Sequence, residues 1–235
     1  MSKTPIVFVH GMDGYGAAAW PAQHLLAGTY DCLFLKRTGF DAVEPPAGSD
    51  FEADAAIVID ALGSGGHLVA HAQGAVPAMM AAVLRPDVVR SLVLVEPLLL
   101  SLTSELPATA AFVARVAQLI NRADALADQA FLTEFNTLMA VTVAPNHESL
   151  ERRASRARLL LTSTGAALHI IAGVDTTVLT GGWEPLYEEV AEALATTGAC
   201  HEIHRSGHRP HDTAQGAAML AGFIALADAK VGSHS

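Results

Sequence analysis

Residues 68–75 read LVAHAQGA, an apolar run that ends at a histidine and leads into a stretch suited to a helix. Two small residues, Ala70 and Gly74, flank position 72. This spacing is typical of a sharp, strained turn between a strand and a helix, which pushes one side chain out above the sheet. The segment therefore predicts a strand–turn–helix unit that presents the side chain of Ala72.

The same alternation of short apolar runs and helical stretches continues in both directions from this turn. It predicts strands at 5–11, 30–39, 67–71, 91–97, 167–175 and 200–207. It predicts helices at 17–28, 51–62 with Asp50 as cap, 73–84, 184–196 and 213–229. Strands of continuous aliphatic residues separated by helices indicate an α/β fold with a mostly parallel sheet covered on both faces.

One long segment interrupts the alternation. Between Leu98 and about Ser163 the pattern is helical, with no clear strand. We therefore expect one α/β core, formed by residues 1–97 and 165–235, with a helical cap of residues 98–164 inserted between the fourth and fifth strands.

Composition excludes several classes of protein. The 235 residues are 51% hydrophobic and 16% charged, so the chain can bury a large core and is not disordered. Its net charge of −10 argues against nucleic acids and anionic membranes as partners. Residues 61–84 carry no charge, but glycines and Pro77 break this segment, which argues against a membrane span. Two distant cysteines and the lack of a secretory leader pattern lead us to expect a cytoplasmic protein.

The turn around position 72 resembles the G-x-S-x-G turn of the α/β-hydrolase superfamily, in which histidine often precedes the nucleophile. His71, Gln73 and Gly74 fit this pattern. Ala72, however, occupies the position of the family's serine, and a methyl group cannot attack a carbonyl carbon. The resemblance therefore includes a departure at the nucleophile itself.

Two further fragments resemble the same superfamily, in the expected order along the chain. VFVHG at 7–11 resembles its strand-end His-Gly segment, and SGHRPHD at 206–212 resembles the loop that carries its catalytic histidine, here His208. The resemblance covers nearly the whole chain and implies an α/β-hydrolase fold. It also implies an oxyanion hole formed by the backbone N–H groups of Met12 and Gln73.

Two residues are candidates for the acid that orients His208. Glu96 ends the strand at 91–97, a position that some family members use, and we prefer it. Asp175 follows the run at 167–175, nearer the commoner position, but it comes one residue earlier after Gly173 than the family's G-x-x-D pattern requires. The acid would accept a hydrogen bond from Nδ1–H of His208, fixing its tautomer and stabilising the imidazolium.

The cap suggests the class of substrate. Its predicted helices carry more apolar residues than one buried helix face needs, so we expect some to face a hydrophobic or macrocyclic ester or lactone. The predicted substrate-binding residues are Gly11, Phe135, Met139 and Trp183. The alternative is that these apolar residues pack against the core or form a homodimer contact.

Alanine at position 72 leaves three hypotheses open. The chain is a Ser-to-Ala form of a serine hydrolase, or an enzyme in which His208 and its carboxylate act as a non-covalent general base, or a pseudoenzyme that only binds a ligand. We prefer the first, because the other expected parts of the site are present. Chemistry of the lyase, cyclase or cofactor-free oxygenase type would belong to the second.

The remaining polar clusters are interpreted as structural. No cofactor or metal is expected, since neither a nucleotide-binding glycine motif nor a metal-ligand spacing is present. His10 and His71 are expected to support the backbone near the site. The arginines of the run at 152–158 are expected to form a solvated helix face together with Glu148 and Glu151.

Overall fold

Six parallel strands form the centre of the molecule. The computed structural model describes residues 3–41, 43–142, 148–163, 168 and 172–232. The strands are β1 (Pro5–Val9), β2 (Asp31–Phe34), β3 (Gly66–His71), β4 (Val89–Val95), β5 (Thr176–Thr180) and β6 (Cys200–Ile203). Their order in the sheet is β2-β1-β3-β4-β5-β6, and every neighbouring pair is parallel. The predicted α/β fold with a parallel sheet is confirmed.

Seven α-helices accompany the sheet in the described part of the chain. They are α1 (Phe51–Leu62), α2 (Ala75–Leu84), α3 (Pro107–Ile120), α4 (Asp128–Leu138), α5 (Leu150–Leu161), α6 (Pro185–Ala195) and α7 (Ala214–Gly232). The Asp50 carboxylate accepts a hydrogen bond from the backbone N–H of Ala53 and caps α1, as the sequence predicts. Pro107 and Pro185 begin α3 and α6, where a missing N–H costs nothing.

The central strands are buried on both faces. Side chains that alternate along a strand point to opposite faces of a sheet. Leu68 and Leu92 accordingly belong to the apolar cluster that also includes residues of α1, α2 and α6. Val69 and Val93 belong to a second cluster, with Trp20 and residues of α7. Because all six strands are parallel, their carboxyl ends lie at one edge of the sheet, where the loops that follow them can carry functional groups.

Two sequence predictions of local structure are wrong. The fifth strand of the sheet is β5 and not the run at 167–175, so Asp175 comes directly before a strand and does not end one. Most of the run from which the fifth strand was predicted lies outside the described residues, which omit 164–167 and 169–171. The predicted helix at 17–28 is two short 3-10 helices, Gly16–Ala19 and Gln23–Gly28. Pro21 lies between them, and its missing N–H and fixed φ interrupt a continuous helix.

The helices α3, α4 and α5 lie between β4 and β5 in the chain, within the segment predicted to be helical. Glu189 of α6 accepts hydrogen bonds from the N–H groups of Ala108 and Thr109, both at 2.8 Å, and so ties the start of α3 to the core. Within the described ranges, no helix is both long and apolar enough to cross a bilayer.

Candidate active site

The turn after β3 has the geometry that its small residues predict. Ala72 has a φ of +48° and is almost completely buried. Gly74 has an ordinary φ of −60°, but a Cβ there would lie 2.5 Å from the carbonyl oxygens of both Val9 and His10. A Cβ on Gly11 would lie 3.1 Å from Cβ of Ala72. The glycines are therefore required because the end of β1 passes directly against this turn.

Glu96 and His208 meet at the carboxyl edge of the sheet. Glu96 follows β4, has a φ of +45° and is fully buried. Its carboxylate accepts hydrogen bonds from the backbone N–H of Gly181 at 2.5 Å and from Nε1–H of Trp183 at 2.9 Å. Nδ1 of His208 lies 3.4 Å from the same carboxylate. This contact favours the tautomer of His208 that carries its proton on Nδ1. In that neutral ring Nε2 carries no proton and can accept one.

Asp175, the alternative acid, is not brought to His208. It lies at the amino end of β5, half exposed, and pairs with Nζ of Lys230 at 2.6 Å. Gly181, which contacts Glu96, follows the opposite end of the same strand. Six residues of extended chain span about 20 Å, far beyond hydrogen-bond reach.

His71 supports the loop that carries His208. Its Nε2–H donates to the carbonyl oxygen of His208 at 3.0 Å, and the two ring centroids are 4.5 Å apart. Burial, reinforced by His208 and partly opposed by Asp13, lowers the pKa of His71 to about 3. The ring is therefore neutral at physiological pH and acts as a fixed donor, in agreement with the structural role expected of it.

His10 has a comparable role under the loop that carries Met12. Its Nε2 accepts a hydrogen bond from the backbone N–H of Arg37 at 3.1 Å, so its proton resides on Nδ1, 2.9 Å from the carbonyl oxygen of Gly11. Burial, together with the nearby Arg37 guanidinium, lowers the pKa of His10 to about 3. The imidazole thus orients the backbone and remains uncharged.

Arg37 joins the loop after β1 to the turn after β3, a connection that motif comparison missed. Its buried guanidinium donates to Asp54 through Nε at 3.0 Å and to Gln73 Oε1 through Nη2 at 3.1 Å. Nη1 lies 3.3 and 3.4 Å from the carbonyl oxygens of His10 and Gly11. The available signal was a pair of basic residues, Lys36 and Arg37, close to the end of an apolar strand, which sequence alone does not distinguish from solvated loop residues.

Gln73 is held on three sides. Its Oε1 accepts from Arg37 and from the Ser49 hydroxyl at 3.2 Å, and its Nε2 donates to the carbonyl oxygen of Ser163 at 2.7 Å. The fixed side chain holds the backbone of the residue predicted to supply one oxyanion donor. The N–H of Met12, the other predicted donor, has no acceptor among the described residues.

A small cavity of about 10 Å³ connects these groups. Of the predicted site residues, it is lined by Met12, Ala72, Gln73, Met139 and His208. Its other lining residues are Asp13, Leu98, Val141 and Tyr187. The space is about that of one water molecule, so a larger ligand needs the adjoining cavity or a displacement of the walls.

Asp13 and Tyr187 line this small cavity without belonging to a recognised motif. Asp13 binds Nη1 of Arg209 at 2.6 Å; burial raises the pKa of its carboxyl, but His71 and Arg209 outweigh burial and the net shift is downward. The Tyr187 ring centroid lies 5.4 Å from that of His208. Burial, then the negative Glu96, raises the pKa of Tyr187 well above its usual value, so the hydroxyl stays neutral.

A second cavity, of about 290 Å³, adjoins the first through Met12, Asp13 and Val141. Phe135, one of the predicted substrate-binding residues, lines it. Gly11 instead packs beneath Ala72, and Trp183 lines neither of these two cavities but donates to Glu96. No cluster of three or more potential metal ligands occurs in the part of the chain that the structure describes.

Sequence comparison agrees with this geometry. A model of the alpha/beta hydrolase family matches residues 6–221, which include the turn at Ala72, Glu96 and His208. The chain therefore belongs to the alpha/beta hydrolase family. No curated protein matches the sequence significantly.

Solved structures of several enzymes share the fold. MenH from S. aureus is 14% identical, with a TM-score of 0.68 over 97% of this chain and 96% of its own. A carboxylesterase of Nitrososphaera gargenis is 14% identical, with a TM-score of 0.64 over 97% and 92%. A haloalkane dehalogenase variant from Bradyrhizobium elkanii is 20% identical, with a TM-score of 0.61 over 99% and 92%. At these identities the likeness establishes the fold alone.

Proposed function

We propose that the chain has the active site of an esterase or lactonase for hydrophobic substrates, in which alanine replaces the nucleophilic serine. His208 is the proposed general base and Glu96 the acid that orients it. The N–H groups of Met12 and Gln73 are the proposed oxyanion donors. The chain as written lacks the nucleophile and is expected to be inactive, or nearly so, in acyl transfer.

The backbone of Ala72 carries this proposal. A φ of +48° is unfavourable for alanine, since residues held in such regions cost about 1–3 kcal/mol. In this turn the strained conformation serves to lift one side chain above the sheet, toward the cavity shared with His208. A methyl group gains nothing from that placement, whereas a hydroxyl there would be within the reach of a base.

With serine at position 72 the mechanism follows from the arrangement. Nε2 of His208 takes the hydroxyl proton as the oxygen attacks the carbonyl carbon, and Glu96 stabilises the imidazolium. The negative charge on the carbonyl oxygen is held by two backbone N–H groups. His208 then returns the proton to the leaving alkoxide, and water repeats the sequence on the acyl-enzyme.

The helices between β4 and β5 form the proposed cap, residues 98–164, over a core of 1–97 and 165–235. Phe135 and Met139 of this segment line the two cavities, which supports a substrate with an apolar body. Neighbours of the same fold include a carboxylesterase and a marine microorganism esterase, but also a haloalkane dehalogenase and an epoxide hydrolase. The ester class is therefore our inference from the site and not from the fold.

A second candidate follows from the intact pair of His208 and Glu96. A histidine with a buried carboxylate partner can remove a proton from a bound substrate without a nucleophile. In that case alanine at position 72 would be the functional residue, and the chain would be a general-base enzyme.

The test compares the chain with its Ala72→Ser variant, using chromogenic esters of increasing acyl length and a fluorophosphonate probe. We expect labelling and turnover only in the serine form, with both lost in Ala72→Ser/His208→Asn. A serine form that folds but is neither labelled nor active would overturn the covalent mechanism. The second candidate would then be favoured if the chain with Ala72 exchanges a proton of a bound ligand with solvent and its His208→Asn variant does not.

A further inference from the structure

The larger cavity has a charged end that the sequence did not reveal. The helix α5 was expected to expose its arginines, but Arg156 is 93% buried and lines this cavity, and Arg153 lines it as well while half-buried. The expectation fails because α5 packs against α4 and against the loop that carries Phe40, and the guanidinium carbon of Arg156 lies 5.6 Å from the Phe40 ring centroid.

Arg156 retains an unused donor in this buried position. Its Nη2 pairs with Glu148, but Nη1 has no hydrogen-bond partner among the described residues and no exposure to solvent. A buried donor without a partner has lost its hydrogen bonds to water without replacement, which is unfavourable, and more so when the group is charged. Burial also lowers the pKa of Arg156, which is the physical expression of the same unfavourable desolvation.

Not every charge that lines the cavity has a partner. Asp13 is paired with Arg209, which lies outside the cavity lining. Glu148 is paired with Arg156 and also with Arg152, which lies outside the lining as well. Arg153 forms no ion pair with a described residue. The cavity therefore presents one guanidinium, that of Arg153, without a carboxylate partner among the described residues, beside walls that include Phe40, Phe135 and Leu160.

We propose that this cavity binds the carboxylate of an amphipathic ligand, with the guanidinium of Arg153 as donor, the buried positive charge of Arg156 beside it, and the aromatic walls against the apolar body of the ligand. One guanidinium without a carboxylate partner matches a monoanionic carboxylate better than a dianionic phosphate. The planar guanidinium groups suit carboxylate geometry. Such a ligand carries its acidic group at one end of the two joined cavities and extends toward Ala72 at the other.

If the chain has the proposed hydrolase function, the substrate is a hydrophobic ester or lactone with a carboxylate remote from the reacting carbonyl. The binding site itself does not require turnover. It can therefore be tested in the chain as written, and its failure would be separate from failure of the Ala72→Ser variant to hydrolyse neutral esters.

The experiment measures calorimetric affinities, at pH 7.5, for ω-phenylalkanoates from phenylpropanoate to phenylheptanoate and for the corresponding primary amides. We expect at least one carboxylate to bind about tenfold or more tightly than its amide, because a charge-assisted bond replaces a neutral one. In Glu148→Gln/Arg156→Gln, where neither partner is left as an unpaired charge and the formal charge of the lining is unchanged, we expect the preference for the carboxylate to persist, because Arg153 remains as the donor.

Two further variants keep the test decisive. Arg153→Gln, at a half-buried position, is expected to fold normally and to bring the affinities of the acid and the amide to within about twofold of each other. Arg85→Gln removes the same charge from an exposed pair with Asp87 and is expected to leave the preference unchanged. Equal affinity of acid and amide at every chain length, no binding of any acid, or a preference that survives Arg153→Gln would overturn the proposal.

Discussion

Nδ1 of His208 lies 3.4 Å from the carboxylate of Glu96, although 112 residues separate the two in sequence. The contact forms because β4 lies beside β5 in the sheet, and Gly181 and Trp183, which follow β5, donate to the same carboxylate. Glu96, the proposed acid, thus contacts three nitrogen atoms from the far half of the chain. This relationship makes the identity of the acid directly testable.

In the Ala72→Ser background, Glu96→Gln should lower kcat by on the order of 10⁴-fold at neutral pH, the loss that a wrong histidine tautomer causes in serine proteases. Asp175→Asn, which alters only an exposed pair with Lys230, should leave kcat within about twofold. Steady-state kinetics on the best chromogenic ester gives both values. A large loss in Asp175→Asn with little change in Glu96→Gln would reverse the assignment.

Removal of Arg37 should destabilise the fold strongly. Arg37→Leu leaves Asp54 as an unpaired carboxylate in a fully buried position, a change that costs about 3–5 kcal/mol in the free energy of unfolding. Urea unfolding followed by circular dichroism measures this cost. The exposed pair of Arg85 and Asp87 provides the control, because solvent screens that pair and Arg85→Leu should cost far less. Similar costs for the two variants would contradict the structural role of Arg37.

The glycine at position 74 should be irreplaceable because of crowding. In Gly74→Ala the new Cβ meets two backbone oxygens at 2.5 Å, which no rotation of a side chain can relieve, so we expect a loss of about 3 kcal/mol or more. Gly222→Ala, in α7, meets nothing within 4 Å and should stabilise the helix by about 0.5–1 kcal/mol. Opposite signs in thermal unfolding are the expected result, and a tolerated Gly74→Ala would mean that the two loops separate easily.

Acid should destabilise the protein through its buried histidines. His10 and His71 have folded-state pKa values of about 3, whereas an unfolded histidine titrates near 6.5. Below about pH 6.5 the unfolded chain therefore binds protons that the folded chain does not. The free energy of unfolding should fall by about 1.4 kcal/mol per pH unit for each of the two, until the folded pKa is reached.

Urea unfolding between pH 7 and pH 5 measures this slope. His71→Gln, which keeps an N–H donor for the carbonyl of His208, should reduce the slope by about 1.4 kcal/mol per pH unit. His24→Gln, at an exposed position, serves as the matched substitution and should leave the slope unchanged. An equal slope in the chain and in His71→Gln would mean that His71 is charged in the folded state.

Local patterns predicted most of the fold. The helix at 51–62, including its Asp50 cap, was predicted with its observed bounds because capping and apolar periodicity act within a few residues. The fifth strand was misplaced because its sequence, TTVLT, is less apolar than the run before it. The branched side chain of threonine favours a strand as that of valine does. A prediction that counts only apolar residues overlooks this preference.

Residues of the candidate site could be predicted from sequence only where they belong to a short motif or end a predicted strand. Ala72, His208 and the preferred Glu96 were predicted from motifs and strand ends, and the structure brings them to one edge of the sheet, while their catalytic roles stay a prediction. The burial of Arg156 could not be found in this way. It depends on Glu148 and Phe40, which reach it from other segments, and an arginine-rich helix has the same sequence pattern in solvent as in a cavity.

Gln73 gives the two cavities a mechanical connection. Its side-chain amide is bonded to the carbonyl of Ser163, which follows the end of α5, while its backbone belongs to the turn at Ala72. The same helix carries Arg153 and Arg156 into the larger cavity. A ligand in the larger cavity that displaced α5 would therefore also act, through this amide, on the N–H of Gln73 that we propose as an oxyanion donor beside Ala72.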